Sequence, residues 1–377
     1  MHRKIRVLTI FGTRPEAIKL APVIRALENE ARIENQVCVT GQHREMLDQV
    51  LSLFSIRPQF DLKLMRADQG LSDLTAAVFK QLPPIFEKVN PDWVLVQGDT
   101  TTVMAASLAA FYAHIKVGHV EAGLRTGDKR QPFPEEINRR VASVVADLHF
   151  APTEYARRNL LREGISEDTI LVTGNTVIDA LRQIKTFPID QAASAILDKL
   201  GITTKRKKLI LVTAHRRENF GEPLRNICAA LKRIAAAHGN EVEILYPVHL
   251  NPNIWNLVHE QLGNCENITL IEPQEYLSMV HLLMHANLVL TDSGGIQEET
   301  TGLGLPCLVL RDKTERPEGV EAGVLKLVGT DVEIIVNAVN TLLTSEDAYK
   351  AMRTTINPFG DGHAAERIVQ CLLEQPL

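Results

Sequence analysis

Short aliphatic and β-branched runs alternate along the chain with segments in which apolar positions recur at helical spacing. The runs are IRVLTIF, QVCVT, WVLVQ, IKVGHV, LHFAPT and ILVTG, then LILVTA, VEILYPV, ITLIEP, LVLTD, CLVLR and KLVGT. Strand followed by helix, repeated this way, is the rhythm of parallel α/β sheets. Between Gly174 and Lys208 a helical, charge-rich connection containing FPID interrupts it, after which the pattern restarts. That interruption marks a domain junction.

The two halves echo each other. WVLVQGDTTTVMAASLAA leads through a helix to IKVGHVEAGLR, as LVLTDSGGIQEETTGLG leads to PCLVLRDKTERPE; the openings VLTIFGTRPE and ILVTAHRRENFG also correspond. Each polar cluster falls where a strand ends and a helix begins, the edge at which open α/β sheets bind ligands. The expected fold class is therefore α/β, with two Rossmann-like doubly wound domains facing across a cleft.

Composition narrows the setting. A chain of 377 residues with 45% hydrophobic content has room for two cored domains, and a net charge of −5 gives no overall attraction to nucleic acid or an anionic membrane. The basic run Lys205-Arg206-Lys207-Lys208 precedes a strand and reads as a solvated turn. Five cysteines lack any C-x-x-C pair, and Cys38 and Cys307 lie inside apolar runs, as buried thiols in a reducing cytoplasm would. The N-terminal apolar run is too short for a signal peptide, and no stretch reaches the length of a membrane span. The expectation is a cytoplasmic protein without nucleic-acid or membrane partners.

Candidate chemistry gathers at the strand ends. Ser293-Gly294-Gly295 opens a helix with small residues, so a phosphate can approach backbone N–H groups; the carboxylates Glu298 and Glu299 that follow suit a ligand that also offers hydroxyls, such as a nucleotide with its ribose. Thr13 and Glu16 in GTRPE fit a capping box, which accounts for that turn apart from Arg14; Arg14 with Lys19 would reinforce an anion site. Asp99 in GDTTT could cap the next helix, or join Glu121, Glu135 and Glu136 in a pocket of carboxylates suited to acid-base work. His215, flanked by arginines, and Arg316 in DKTERPEG are either loop polarity or anion-facing groups. His119 and Glu121, or Asp147 and His149, are two apart as alternating strand geometry would place them, and no third metal ligand is signalled. No G-x-G-x-x-G follows a strand, so no nicotinamide cofactor is expected.

Taken in order, GTRPEAIK, TGQHREML, GDTTT, HVEAGLRTGD, PEEINR, GNTVIDAL, HRREN, PVHLNPN, DSGGIQEE and TERPE resemble the bacterial non-hydrolysing UDP-N-acetylglucosamine 2-epimerases over nearly the whole chain. The resemblance implies a fold like that of glycosyltransferase-B enzymes, divided as residues 1–171 plus a returning helix at 363–377, and residues 172–362. It also implies a homodimer and reversible conversion of UDP-GlcNAc to UDP-ManNAc for surface polysaccharide, with neither cofactor nor metal. The C2 proton adjoins no carbonyl, so direct abstraction would leave an unstabilised carbanion. In the family UDP departs as that proton is lost, giving a 2-acetamidoglucal to which UDP returns.

By resemblance Asp99, Glu121 and Glu135 are catalytic acidic residues, with base and acid unassigned, and His215 acts electrostatically. Arg14, Lys19, Asp99, Glu121 and His215 meet the phosphate-sugar region, and Ser293, Gly294 and Gly295 the diphosphate. Glu299 meets ribose, Arg316 the nucleotide, and Gln274 uracil, near Met279, where some relatives carry an aromatic residue. Glu298 is assigned to helix surface. Gln42, Arg44, Gln69, Glu136 and His249 are candidates for a second, activating UDP-GlcNAc site. The rival readings are an epimerase of another UDP-N-acetyl sugar, a glycosyltransferase, and a nucleotide-sugar sensor without turnover.

Overall fold

A computed structural model describes residues 3–41, 44–64, 69–204, 207–353 and 357–376, with the side chains of Arg44 and Glu45 left out. The chain forms two units, Met1–Gln183 with Gly360–Leu377, and Ile184–Phe359. The break falls inside the expected connection but one helix later than residue 171. The Thr176–Ile184 helix belongs to the first unit because Asp179 accepts the N–H groups of Ala364 (3.3 Å) and Ala365 (2.9 Å), and Arg367 donates to the Thr173 carbonyl (2.8 Å). Helix Ala364–Glu374, anchored there, packs on helix Arg14–Glu28, so the return to the first unit begins at Gly360 rather than 363.

The first unit holds strands β1 (Ile5–Phe11), β2 (Ile33–Val39), β3 (Phe60–Asp61), β4 (Trp93–Gln97), β5 (Lys116–Val120), β6 (Leu148–Ala151) and β7 (Ile170–Val172), in sheet order β3-β2-β1-β4-β5-β6-β7. The second holds β8 (Lys208–Thr213), β9 (Val242–Pro247), β10 (Ile268–Ile271), β11 (Leu288–Thr291), β12 (Cys307–Val309) and β13 (Leu325–Leu327), ordered β10-β9-β8-β11-β12-β13. The strands pair in parallel, Leu8 with Val94 and Leu290 with Val212 at the centres. Central strands are buried on both faces, as helices covering each side of a parallel sheet require: WVLVQ is enclosed throughout, and LILVT of β8 likewise. Each such Val or Leu contributes roughly 1.5–3 kcal/mol by leaving water.

This topology positions the chemistry. In each sheet the order reverses at one place, between β1 and β4 in the first unit and between β8 and β11 in the second. The loops leaving those strands diverge to opposite sides and open a crevice at the carboxyl edge. The turns Gly12-Thr13-Arg14 and Gly98-Asp99-Thr100 flank the first crevice; Ala214-His215-Arg216 and Asp292-Ser293-Gly294 flank the second.

Candidate active site

At the first edge a carboxylate joins the two turns. Glu16 accepts the N–H groups of Gly12 (3.2 Å) and Thr13 (2.7 Å) with one oxygen and the Thr100 hydroxyl (2.9 Å) with the other. The expected capping box is present, but its glutamate also bridges β1 to β4. Burial pushes its carboxyl up to about 7, against the opposing pull of those hydrogen bonds. Arg14 opens the helix, half-buried. A cation at a positive helix end opposes the macrodipole, a placement that a bound anion turns to advantage.

Glu121 follows β5 with φ at 64°, a left-handed conformation unfavourable for a residue with a side chain. Its carboxylate is gripped by Lys19 Nζ at 2.6 and 2.7 Å and by the Gln97 amide. Gly123, at φ 94°, lets this turn lie against helix Glu154–Arg162, since a Cβ there would meet the Ala156 carbonyl oxygen at 2.3 Å.

Asp99 does not cap the following helix; Thr100 does, accepting the Val103 N–H at 3.2 Å. Asp99 instead accepts from Arg139 Nη2 at 2.6 Å while its carbonyl accepts from Asn138 at 3.0 Å. Both partners lie on helix Glu135–Val145, whose first residue carries a buried carboxylate oxygen, Glu135 Oε2, that takes no hydrogen bond. Beneath the Asp99 turn, His119 Nε2 lies 2.7 Å from the Gly98 carbonyl. Burial lowers its pKa to about 3, so the ring is neutral and donates there. His149, its register partner on β6, meets the Ser143 carbonyl at 2.9 Å and so steadies helix Glu135–Val145.

The second edge has the opposite character. Ser293 precedes helix Gly294–Leu303 without using its side chain as a cap, and Gly295 faces open space. A Cβ at Gly294 would lie 2.8 Å from the Arg316 guanidinium, so the arginine packs directly over the bare glycine. Arg316 is held by Glu298, with Nε and Nη2 both 2.8 Å from Oε1. Glu298 is 1% exposed, so its assignment to helix surface is corrected: its length lets it reach the guanidinium beneath the helix start. Glu299 is buried beside it. Burial raises Glu315, but the charges of Arg316 and Arg311 outweigh it and leave the carboxyl at about 2.

His215 lies beside β11's end, its Nδ1 3.5 Å from Asp292 Oδ1, and its ring stacks on His249 with centroids 5.6 Å apart. Gln274 folds back to donate to the Glu272 carbonyl (2.7 Å). Met279 is partly buried and packs against a core cluster of the second unit.

The expected activator residues come from both units. Gln42 and the side chain of Arg44 lie outside the described residues. Gln69 precedes the Gly70 cap of helix Leu71–Val89. Glu136 is fully enclosed and accepts the Thr126 and Gly127 N–H groups, with Arg139 and Arg140 beside it, so it builds the loop. His249 belongs with His215 in the second unit. Among the described residues no three His, Cys, Asp or Glu side chains are disposed to hold a metal, and no helix is long and apolar enough to cross a membrane.

Glu16, His119, Asn138, Arg139 and Asp292 were not anticipated as site-building groups. The available signal was position: Asn138 and Arg139 fall one helical turn after Glu135, and Asp292 ends an apolar strand as Asp99 does.

Comparison with known proteins gives a consistent picture. The sequence model described as UDP-N-acetylglucosamine 2-epimerase matches residues 25–373. The UDP-N-acetylglucosamine 2-epimerase of Salmonella typhimurium is 54% identical over 370 residues, covering 98% of each chain. The structure of the UDP-GlcNAc 2-epimerase of Neisseria meningitidis bound to UDP-GlcNAc superposes with a TM-score of 0.90 at 47% identity, over 98% of this chain and 100% of that one. A glycosyltransferase of Rickettsia africae, 13% identical with a TM-score of 0.64 over the full length of both, shares the fold alone.

Proposed function

Since the chain belongs to the UDP-N-acetylglucosamine 2-epimerase family, we propose that it interconverts UDP-GlcNAc and UDP-ManNAc by elimination and re-addition of UDP. A carboxylate takes the C2 proton, the C2–H electron pair becomes the C1=C2 double bond, and the C1–O pair leaves with UDP. Protonation of C2 on the opposite face and return of UDP to C1 complete the inversion. Glu135 is the proton acceptor, Asp99 and Glu121 serve the opposite face and the sugar hydroxyls, and Arg14, Lys19, His215, Arg316 and the helix start at Ser293-Gly294-Gly295 meet the diphosphate. Glu299 holds ribose and Gln274 uracil.

One observation carries this assignment: Glu135 Oε2 is buried and takes no hydrogen bond, whereas Asp99 and Glu121 are gripped by Arg139 and Lys19. A base needs an uncommitted lone pair. The test is incubation with UDP-GlcNAc in heavy water, with ¹⁸O in the C1–O–P bridge. Deuterium at C2 together with scrambling of the bridging oxygen is expected; equilibration of the isomers with the label unmoved would refute elimination.

The chain acts as a homodimer in the cytoplasm. Helices Leu71–Val89, Thr101–Tyr112 and Glu135–Val145 pack side by side and present Phe111, Ile137, Tyr112 (67% exposed) and Val144 (78% exposed), a face a second copy would cover. The described thiols of all five cysteines are unpaired, in keeping with a reducing compartment. Sedimentation of Val144→Glu, expected as monomer against dimeric wild type, tests the face.

A further inference from the structure

In the second unit one carboxylate governs both the backbone and the ring of His215. Asp292, buried at the end of β11, accepts three donors on Oδ2: the N–H groups of His215 (2.8 Å) and Arg216 (2.8 Å) and the Asn219 amide (2.9 Å). Asn219 is tied in turn to the Leu310 carbonyl (3.2 Å), and the Tyr246 hydroxyl holds the Ala214 carbonyl (2.8 Å) on the other flank. Three donors converging on one oxygen fix the plane of the carboxylate. Its other oxygen, Oδ1, takes no hydrogen bond and faces His215 Nδ1 at 3.5 Å. Loop retention alone needs only Oδ2.

We infer that Asp292 is a positioning residue for epimerisation, acting through His215 by fixing its tautomer and supporting its positive charge; this rests on the phosphate-facing role given to His215 above. With Nδ1–H directed at the carboxylate, Nε2 is the ring nitrogen assigned to the ligand. When the ring is protonated, Nε2–H donates to the departing diphosphate, and the carboxylate behind the ring stabilises the imidazolium, as an opposite charge within ~4–6 Å does. His249, stacked on the ring face, restricts its rotation.

Asp292→Asn separates this role from loop retention. The asparagine oxygen can still accept the three donors, while its NH₂ facing Nδ1 demands an acceptor there, driving the ring to the Nε2–H tautomer without a balancing charge. The experiment is ¹⁵N-histidine NMR of the full-length protein over roughly pH 5–9, with the His215 resonance assigned from His215→Asn, alongside turnover and UDP binding. Wild-type His215 should show the Nδ1–H neutral form. Asp292→Asn should switch the tautomer and lower the His215 pKa by about one unit or more. Turnover at neutral pH should fall on the order of a hundredfold, with UDP affinity changed less than about threefold. The double variant should be no slower than His215→Asn alone, since both changes act through one group.

An Nε2–H tautomer in the wild type, an unshifted pKa in Asp292→Asn, or additive losses in the double variant each overturn the inference. Should Asp292→Asn fail to fold, the wild-type tautomer decides the matter by itself. Failure of the epimerase assignment looks different: the wild type would leave UDP-GlcNAc unchanged whatever the His215 spectra show.

Discussion

The two switch-point edges share one construction and carry different side chains. In each, a buried carboxylate collects backbone N–H groups from one strand-end turn and ties it to the other: Glu16 joins the β1 and β4 turns, and Asp292 the β11 and β8 turns. The direction differs. Glu16 belongs to the helix after the unit's first strand and reaches outward to Thr100; Asp292 ends the later strand and reaches back to the loop after β8. What stands on each frame differs more. The first edge presents Asp99, Glu121 and Glu135; the second presents a helix start, Arg316 and His215. On the proposed assignment the first edge carries the proton-transfer carboxylates, two of them already paired with Lys19 and Arg139, and the second edge carries the remaining anion-facing groups.

The sharpest way to break that contrast is to neutralise one edge and read the other. Glu135→Gln, Asp99→Asn and Glu121→Gln should each lower epimerisation by roughly a hundredfold to ten-thousandfold, while UDP affinity, measured by calorimetry, stays near wild type. Glu121→Gln also releases Lys19, so of the three it should show the greatest change in substrate KM. Near-normal turnover in Glu135→Gln would move the base elsewhere. Glu299→Ala should do the converse, weakening UDP binding with less effect on deuterium uptake at C2 by bound substrate.

Arg316→Ala comes next, and its effect reaches stability as well as binding. Glu298 and Glu315 would lose a buried guanidinium, and breaking a buried pair costs about 3–5 kcal/mol. Thermal unfolding should show the loss without added UDP. Arg316→Lys should recover only part of it, since an ammonium cannot reproduce the two contacts from Nε and Nη2 to Glu298.

The edges should also differ in their response to pH. At Glu16 and His119 burial wins. Glu16 rises from 4.5 to about 7, so the native state keeps a proton the unfolded chain has released; its contribution is full below pH 4.5 and lost as pH rises to 7. His119 falls from 6.5 to about 3, so its contribution is lost as pH drops from 6.5 toward 3. Between pH 4.5 and 6.5 the two slopes oppose. At Glu315 in the second unit pairing wins: its carboxyl is lowered from 4.5 to about 2, and its contribution, full above 4.5, is lost as pH falls toward 2. Denaturant unfolding at a series of pH values should show Glu16→Gln removing the decline approaching pH 7 and Glu315→Gln removing part of the decline below 4.5. Identical profiles for both variants would dissolve the distinction.

Much of this organisation was legible in the sequence. Apolar runs such as WVLVQ and LVLT declare parallel strands because burial on both faces leaves no polar alternation to confuse them. Strand β3 was missed, since two residues, Phe60 and Asp61, pair with Cys38 and Val39 without any hydrophobic pattern of their own. Asp99 and Glu121 stand out as candidates because each is an acidic residue directly after an apolar run, whereas Asp292, which follows LVLT in the same way, was passed over. Glu298 was misplaced, and the enclosure of Glu136 not foreseen, for a different reason. Helical position alone does not distinguish a solvated carboxylate from one drawn inward by a guanidinium or by loop N–H groups, and those partners, Arg316 and Thr126-Gly127, are set by the fold. His119 looks like strand alternation until its contact with the Gly98 carbonyl is known.

The smallest effect tests the joint itself. Thr100 both caps helix Thr101–Tyr112 and donates to Glu16, so one hydroxyl fixes the direction of the Asp99 turn and its distance from the β1 turn. Thr100→Val removes both bonds and should cost about 1–2 kcal/mol, since Glu16 Oε1 also loses its donor. Thr100→Ser keeps the hydroxyl and should fall within about 0.5 kcal/mol of wild type. The kinetic consequence separates frame from chemistry: if Glu16 and Thr100 set the spacing of the acidic edge, Thr100→Val lowers kcat while UDP affinity holds, because the proposal assigns most of the diphosphate contacts to His215, Arg316 and the Ser293-Gly294-Gly295 helix start. A loss confined to stability would instead mean that Asp99 keeps its place through Arg139 and Asn138 alone.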